Sequence, residues 1–276
     1  MSNLIPDYHL HTSFSGDCDT DPYHLIEEMI RKGMTSACFT DHNDLDYPLP
    51  PDGCTFDNPI EVYIPALKEI QKKVASKFDL RIGLEQGVQP HTVEDLKNFT
   101  KKHPGLDFVI CSTHYVEHDD PYYPGFFDGH DPMERYIKYF EEMLYTVKHF
   151  TDYNVYGHLD YIFRYGPGIK HKDNFKLSAF PAADLIEEIL KIIIANGKGI
   201  EINTGALYRG MDYAHPHPET LKLYKDLGGE ILTFGSDSHD DIHMGYRFEE
   251  AAELAKSMGF KYYSTFKQMK PEFIAL

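Results

Sequence analysis

The sequence DYHLHTSFSGD, residues 7–17, follows a short apolar run close to the N-terminus. His9 and His11 are two positions apart, and side chains along an extended strand alternate between its two faces. Both imidazoles therefore point to the same side if this segment is a strand. Neutral imidazole is a strong ligand for zinc, iron and manganese. One such pair is weak evidence for a metal site, so its weight depends on whether the pattern recurs.

Apolar runs of strand length recur along the chain, and segments with helical periodicity separate them. The predicted strands are Leu4–His9, Ser36–Thr40, Leu80–Glu85, Phe108–Ser112, Val155–Gly157, Gly199–Ile202 and Ile231–Gly235, with a further short run at Tyr262–Thr265. The predicted helices are Pro22–Lys32, Pro59–Lys77, Val93–Lys102, Pro132–Thr151, Ala182–Asn196, Pro218–Leu227 and Tyr246–Met258. This alternation indicates parallel strands with helical crossovers, and seven repeats favour a closed α/β barrel. A length of 276 residues without an evident linker fits a single domain over residues 1–276.

Polar residues that can bind metals follow nearly every predicted strand. Six of the sixteen histidines lie at these positions, a distribution that chance would rarely produce. The strand-end residues are His9, His11, Asp41, His42, Glu85, His114, His158, Glu201, Asn203, Asp237 and His239. In α/β barrels the carboxyl ends of the strands carry the chemistry. The sequence therefore predicts one polar cluster at that end of the barrel.

The formal net charge is −17 with neutral histidines, and acidic residues are spread along the chain. Such a field repels phosphate backbones and anionic lipids, so we expect no nucleic-acid partner and no membrane partner. The apolar stretch around Ile189 to Ala195 is too short to cross a bilayer. The N-terminus does not read as a secretory signal and the four cysteines form no CxxC pair, which together favour a cytoplasmic protein with reduced thiols.

Seven segments, in order, resemble the PHP family of polymerase-and-histidinol-phosphatase domains, and its histidinol-phosphatase branch in particular. They are DYHLHTSFSGD (7–17), TDH (40–42), GLEQG (83–87), STHY (112–115), GHLD (157–160), EINTGALYR (201–209) and GSDSH (235–239). The resemblance runs from residue 7 to about residue 270. It implies an α/β fold that is a distorted (β/α)7 barrel, similar to a TIM barrel, with three divalent metal ions.

The resemblance also implies which residues hold the ions. The three ligand sets are His9, His11, Glu85 and Asp237; then Glu85, His114 and His158; then Asp17, His42 and His239. Asp17 stands where several relatives have histidine. The residues themselves support such a centre, because nitrogen and oxygen ligands without thiolate suit zinc, manganese or iron. Three such ions would also offset the acidic charge where an anionic substrate binds.

Two arginines follow predicted strands on the same side of the barrel. Arg164 comes after the strand of His158, and Arg209 comes after the strand of Glu201. A guanidinium group offers a planar fork of donors that suits phosphate. The resemblance implies that both arginines bind the substrate phosphate. The aromatic loop from Tyr115 to Asp131 either packs on the barrel or forms a lid over the substrate.

The resemblance implies a hydrolase, specifically a phosphomonoesterase that converts L-histidinol phosphate and water to L-histidinol and phosphate. The candidates for the proton donor to the leaving group are Asp17, His42 and a metal-bound water, and the sequence does not choose among them. The partner is then a small-molecule phosphate ester, and the oligomeric state stays open. Alternatives are a PHP phosphoesterase for a nucleotide, sugar phosphate or phosphotyrosine, and a metal-binding module without activity. An amidohydrolase-like barrel is a further rival, although no predicted strand end carries the lysine that it normally uses.

Asp41 and Asp160 are expected outside the ligand sets. Asp41 is assigned to orienting a ligand histidine, and Asp160 either to the same role or, by a small margin, to capping of the chain that follows it. Most of the other ten histidines, including His215 and His217, are expected to face solvent.

Overall fold

The computed structural model describes residues 4–47, 55–123 and 125–276. Its main sheet consists of parallel strands, in the order β1-β3-β4-β5-β6-β7, with β2 beside β3. These strands are β1 (Ser36–Phe39), β2 (His42–Asp44), β3 (Asp79–Gly87), β4 (Phe108–Ser112), β5 (Val155–Tyr156), β6 (Gly199–Asn203) and β7 (Leu232–Gly235). β1 and β2 follow each other along the same edge of β3, where Ser36 lies opposite Asp79 and His42 lies opposite Glu85.

The N-terminal segment lies between the two outer strands of this sheet. On one side Cys38 N donates to Asp7 O (2.8 Å), and on the other Tyr8 N donates to Phe234 O (2.9 Å). Residues 7–11 therefore complete the ring, which confirms the predicted α/β barrel. The predicted strand Leu4–His9 is wrong in its bounds, because pairing is limited to isolated bridges at Asp7 and Leu10. Pro6 has no N–H to donate, so the ladder does not extend to the start of the segment.

The helices lie within the predicted crossover segments, with one exception. They are α1 (Pro22–Arg31), α2 (Ile60–Val74), α3 (Phe99–Lys102), α4 (Pro132–His149), α5 (Ala183–Ala195), α6 (Gly205–Tyr208), α7 (Pro218–Asp226) and α8 (Phe248–Ser257). The exception is α6, which the sequence analysis did not predict. The prediction of a helix over Val93–Lys102 is wrong for most of its length. Asn98 adopts a left-handed conformation (φ 60°), which interrupts a helix, so only Phe99–Lys102 is helical.

One end of the barrel is closed by apolar side chains. The closing cluster consists of Tyr8, Cys38, Phe108, Ile110, Val155 and Phe266. Phe108 and Val155 are the first residues of β4 and β5, so the cluster lies at the amino ends of the strands. Phe266 comes from a C-terminal hairpin, β8 (Tyr262–Lys267) and β9 (Lys270–Ala275). The short run predicted at Tyr262–Thr265 therefore belongs to a separate antiparallel sheet.

Small residues inside the barrel make room for the polar cluster at the opposite end. A Cβ atom added to Gly235 would collide with the Glu201 carboxylate and with the Cβ of His9. This close approach explains why glycine stands there. Among the described residues, no helix is both long and apolar enough to cross a membrane. Cys18, Cys38 and Cys111 are free and buried, whereas Cys54 lies outside the described residues.

Candidate metal centre

Glu85 lies at the centre of the polar end of the barrel. It is the seventh residue of β3, it is fully buried, and imidazole nitrogens surround its carboxylate. The surrounding nitrogens are His9 Nε2 at 3.1 Å, His42 Nδ1 at 3.1 Å, His114 Nε2 at 3.1 Å and His158 Nε2 at 2.9 Å. Burial raises the pKa of a carboxyl, but the adjacent histidines outweigh it and hold the pKa of Glu85 well below its ordinary value. One ionised carboxylate thus faces these four rings, and a fifth, that of His11, lies 3.4 Å away.

Asp237 and His11 form a second part of the cluster. His11 Nε2 lies 3.7 Å from Asp237 Oδ1 and 3.4 Å from Glu85 Oε2. Asp237 has φ 55°, a left-handed conformation that costs free energy for a residue with a Cβ. Its pKa is held well below the ordinary value, since Arg209, His9 and Arg164 together outweigh the effect of burial. The carboxylate therefore stays ionised while its backbone is constrained toward the cluster.

A third part of the cluster lies nearer to solvent. Asp17 Oδ2 is 3.0 Å from His239 Nε2 and 3.8 Å from His42 Nε2. The side chain of Asp17 is 37% exposed, whereas that of His42 is 12% exposed. Burial disfavours the imidazolium of His42, but Glu85 and Asp17 raise its pKa to about 9. All nine residues named by the sequence motifs therefore border one connected polar cluster.

Hydrogen bonds behind the rings fix which nitrogen faces the cluster. His9 Nδ1 lies 2.7 Å from Glu201 Oε1, and His114 Nδ1 lies 2.7 Å from Asp44 Oδ1. A proton shared with the carboxylate on Nδ1 leaves the lone pair of Nε2 directed toward Glu85. Outer carboxylates of this kind commonly orient histidine ligands of metals.

The sequence analysis assigned no role to either of these carboxylates, Glu201 and Asp44. Asp44 follows His42 by two positions on β2, and this same-face spacing was the signal available to find it. Glu201 was recognised as a strand end without a function. Its partner His9 is 192 positions away in sequence, so only the fold shows the pairing.

Asp41 reaches a ligand histidine indirectly. The Ser15 hydroxyl donates to Asp41 Oδ1 (3.1 Å), and Ser15 Oγ lies 2.9 Å from His11 Nδ1. Asp41 also accepts a hydrogen bond from Thr12 N (2.6 Å). Because the serine hydroxyl donates to Asp41, its oxygen is free to accept from His11 Nδ1, which leaves His11 Nε2 unprotonated. Burial and the neighbouring His239 and His42 lower the pKa of His11 well below its ordinary value, in agreement with a neutral ring.

Two other expectations are wrong. His215 and His217 are buried rather than exposed to solvent. Asp160 does not cap the 3₁₀ turn Tyr161–Arg164 that follows it. Its carboxylate instead lies 2.5 Å from His215 Nδ1 and accepts a hydrogen bond from His217 N at 2.6 Å. Residues 215–217 lie in a predicted loop, and nothing in the sequence indicated that this loop folds back against the barrel.

The residues present fit divalent metal ions. Several buried polar atoms that face the cluster lie close to one another but make no hydrogen bond of acceptable geometry among the described residues: His9 Nε2, His11 Nε2, His42 Nδ1, Glu85 Oε2 and His239 Nε2. Leaving such atoms unpaired is costly, whereas a cation accepts their lone pairs. Ligand atoms lie within 4.8 Å of one another in each of three groups, which are His9-His11-Asp237, His9-Glu85-His158 and His11-His42-His239.

Arg164 and Arg209 border the cluster at Asp237. Arg164 Nη2 lies 3.4 Å from Asp237 Oδ2, and Arg209 Nη1 lies 3.2 Å from the same oxygen. Arg164 is buried and its guanidinium packs over the ring of Tyr161, 4.9 Å from the ring centroid. Both predicted phosphate-binding residues are therefore held beside the polar cluster, with donors directed into the same space.

A cavity of about 360 Å³ opens above the cluster. Aromatic side chains form much of its wall: Tyr47, Phe56, Tyr115, Tyr122, Tyr123, Tyr161 and Tyr165. Asp120 also lines the cavity, and burial raises the pKa of its carboxyl to about 6. The loop predicted to pack or to form a lid contributes Tyr115 and Tyr122 to this wall. Phe126 of the same loop is buried and packs against the guanidinium of Arg135.

The PHP domain family model matches residues 7–205, which carry most of the barrel and of its polar end. The chain belongs to this family.

Two curated relatives illustrate its position within the family. The chain is 32% identical to the histidinol-phosphatase of Lactococcus lactis subsp. lactis, over 96% of this chain and 95% of the relative. It is 29% identical to the probable histidinol-phosphatase of Thermotoga maritima, over 93% of each protein. These relatives confirm the resemblance to the histidinol-phosphatase branch.

A solved structure supports the fold independently. The crystal structure of histidinol phosphate phosphatase from Lactococcus lactis, complexed with zinc, L-histidinol and phosphate, superposes with a TM-score of 0.83 at 30% identity. The match covers 98% of this chain and all of the other chain. The distorted barrel predicted from the sequence is therefore confirmed.

Proposed function

We propose that this protein is a histidinol-phosphatase, a hydrolase that converts L-histidinol phosphate and water to L-histidinol and phosphate. The observation that carries the proposal is one cavity in which buried, unpaired ligand atoms and two arginines meet beneath an aromatic wall. The related Lactococcus lactis enzyme was crystallised with zinc, L-histidinol and phosphate, a ligand set of the same chemistry. Neither nucleic acid nor membrane lipid is part of the proposed reaction.

The proposed cofactors are three divalent ions of zinc, manganese or iron. The first would be held by His9, His11, Glu85 and Asp237, the second by Glu85, His114 and His158, and the third by Asp17, His42 and His239. Two observations support this proposal. The ligand atoms are nitrogen and oxygen without thiolate, and Glu85 has nitrogens on both carboxylate oxygens, as a bridging ligand requires.

Divalent ions in such a centre supply, when bound, positive charge for the phosphoryl oxygens and a lowered pKa for a water molecule. The chain itself supplies the remaining groups. The guanidinium groups of Arg164 and Arg209 already point into the cavity, and each can shift a donor from Asp237 to a phosphoryl oxygen. Because Arg164 is buried, its charge acts in a medium of low polarity and is poorly screened.

The leaving alkoxide needs a proton. We propose Asp17, His42 or a water molecule held beside them as the donor, because both side chains line the cavity and lie closer to its opening than Glu85 does. The aromatic wall would pack against the imidazole of the leaving group and exclude water. The protein is further proposed to act as a single domain in the cytoplasm, where its buried free thiols would remain reduced.

A substrate screen tests the proposed function. The metal-free protein is reconstituted with zinc, manganese or iron, and kcat/KM is measured for L-histidinol phosphate, nucleotides, sugar phosphates and phosphotyrosine. The proposal expects metal-dependent hydrolysis with the highest kcat/KM for L-histidinol phosphate. A higher value for another ester would identify a different PHP phosphoesterase. Absence of hydrolysis with every ester in the metal-replete protein would identify a module without activity.

A further inference from the structure

A second group of potential metal ligands lies outside the barrel cluster, on the surface. Asp46, His91 and His118 each place one ligand atom within 4.8 Å of the other two. His91 Nε2 lies 2.9 Å from Asp46 Oδ2, and the rings of His91 and His118 are 4.4 Å apart between centroids. All three residues are exposed. We call this group the surface triad.

The three residues belong to different loops that the barrel brings together. Asp46 follows β2, His91 follows β3, and His118 follows β4. β2, β3 and β4 are neighbours in the sheet, so these loops emerge side by side. The Gln89 side chain connects two of the loops, because its Nε2 donates to Leu45 O (3.2 Å) and to Asp46 O (3.4 Å). The geometry of the surface triad is therefore set by the fold.

Backbone strain accompanies two of the three residues. Asp46 has φ 56° and His118 has φ 63°. His118 lies in a two-residue turn between Val116 and Asp119, whose backbones bond to each other in both directions. Non-glycine residues are uncommon in this region of conformational space, histidine and aspartate being among the more frequent. Glycine or asparagine would form such a turn at lower cost, so the turn chemistry alone does not account for histidine at this position.

We propose that the surface triad binds one divalent transition-metal ion, such as zinc, through the Asp46 carboxylate and the two imidazoles. Zinc binds histidine nitrogen at about 2.0–2.1 Å and carboxylate oxygen at about 2.0–2.2 Å. Ligand atoms around one tetrahedral ion are then about 3.4 Å apart. The 2.9 Å between Asp46 and His91 would have to widen slightly and any longer spacing, up to 4.8 Å, would have to shorten, which requires only rotation of exposed side chains. Water completes the coordination, as expected for three protein ligands at a surface.

Occupation of this site would connect three loops that carry part of the catalytic cavity wall. Tyr47 follows Asp46 directly, and its hydroxyl donates to Asp120 Oδ2 (3.3 Å). The ring of Tyr47 lies 5.0 Å from that of Tyr115. A bound ion would therefore restrain the part of the cavity wall that Tyr47, Tyr115 and Asp120 form.

Counting metal ions tests the proposal. The wild-type protein and the double variant His91→Ala/His118→Ala are equilibrated with excess Co²⁺ at pH 7.5, and bound cobalt is measured by elemental analysis and by visible absorption. We expect the double variant to bind one equivalent less than the wild type and to lose the corresponding part of the spectrum. His24→Ala is the control, because His24 is also exposed and paired with one carboxylate, that of Asp241. Unlike His91, it belongs to no group of three potential metal ligands among the described residues.

The cobalt measurement can either support or overturn the proposed site. A loss of one equivalent in the double variant, with no loss in the control, supports the site. Equal cobalt content and equal spectra in all three proteins overturn it. Since the substituted side chains are exposed, the variants are expected to fold, and circular dichroism checks this. As a second readout, hydrogen exchange of residues 45–47 and 116–119 should slow on adding the ion to the wild type and remain unchanged in the double variant.

Discussion

The two ends of the barrel differ although the same strands build both. At the amino ends, Phe108 of β4 and Val155 of β5 pack with Phe266 of the C-terminal hairpin. At the carboxyl ends, Ser112 of β4 donates to Glu85 Oε1 (2.7 Å), and His158 follows β5. One end buries apolar surface, which stabilises the fold, and the other buries charged and polar groups that could hold a cation. The difference shows that stability and chemistry are separated along the length of each strand.

The largest expected effect is at the polar end. Glu85→Ala removes the carboxylate that five imidazoles surround, so we expect the variant to lose bound metal. Activity should fall by well over the roughly 10–100-fold that outer partners of metal ligands contribute. Elemental analysis and kcat/KM for L-histidinol phosphate measure both effects, with circular dichroism to verify folding. A metal-replete and fully active Glu85→Ala protein would show that Glu85 is not a bridging ligand.

At the apolar end of the barrel, we expect a substitution to lower stability and to leave activity unchanged. Phe266 is 1% exposed within the apolar cluster, so Phe266→Ala leaves a cavity and should cost about 3–5 kcal/mol of unfolding free energy. Denaturant unfolding measures this loss. The kcat/KM of the folded, metal-loaded variant should match the wild type. A large drop in kcat/KM without a loss of stability would mean that the two ends are not separate.

A moderate effect on activity is expected from substituting an arginine that is proposed to bind the substrate phosphate. Arg209→Met removes a charged donor, and hydrogen bonds of this kind contribute about 1.5–3 kcal/mol. We therefore expect kcat/KM for phosphate esters to fall by roughly 10- to 100-fold. Arg81→Met is the matched control, because Arg81 lies near the start of β3 and pairs with Asp79 (2.7 Å). Unchanged kinetics in Arg209→Met would remove Arg209 from the substrate site.

The smallest effect concerns pH at the cavity wall. Burial raises the pKa of Asp120 to about 6, above the unfolded value near 3.8. The folded protein therefore holds this proton more tightly, so the contribution of Asp120 to stability is greatest below pH 4 and declines as the pH rises through 6. Asp120→Asn, which keeps the shape without the charge, should lack this decline. The unfolding free energies of the two proteins should diverge by at most about 3 kcal/mol between pH 4 and pH 7. Parallel curves would contradict the assignment.

The sequence predicted the elements whose pattern is local. β4, with Phe108 at its start, was predicted with its observed bounds, because an uninterrupted apolar run reports a buried strand. The helix over Val93–Lys102 failed because a single left-handed residue, Asn98, outweighs the periodicity around it. The C-terminal hairpin was missed as a closing element, since its role depends on contacts with Tyr8 at the other end of the chain.

The residues of the candidate site also divide into those that the sequence predicted and those that only the structure revealed. The residues that face the cluster recur at strand ends, so the chain itself names His9, Glu85 and Asp237. The groups that orient them do not recur with any spacing: Glu201 contacts His9, and Asp41 reaches His11 through Ser15. Such partners are selected by proximity in space, which the order of residues along the chain does not contain.

The amino-acid sequence by itself determined that this is a parallel α/β barrel with side chains able to bind metal at the carboxyl ends of its strands. Alternation and periodicity encode these features because they follow from the local geometry of strands and helices. Only the tertiary structure decided which nitrogen of each ring faces Glu85 and which loops meet at the surface triad. Hydrogen-bond partners and neighbouring loops depend on how distant segments pack, and packing is a property of the whole fold.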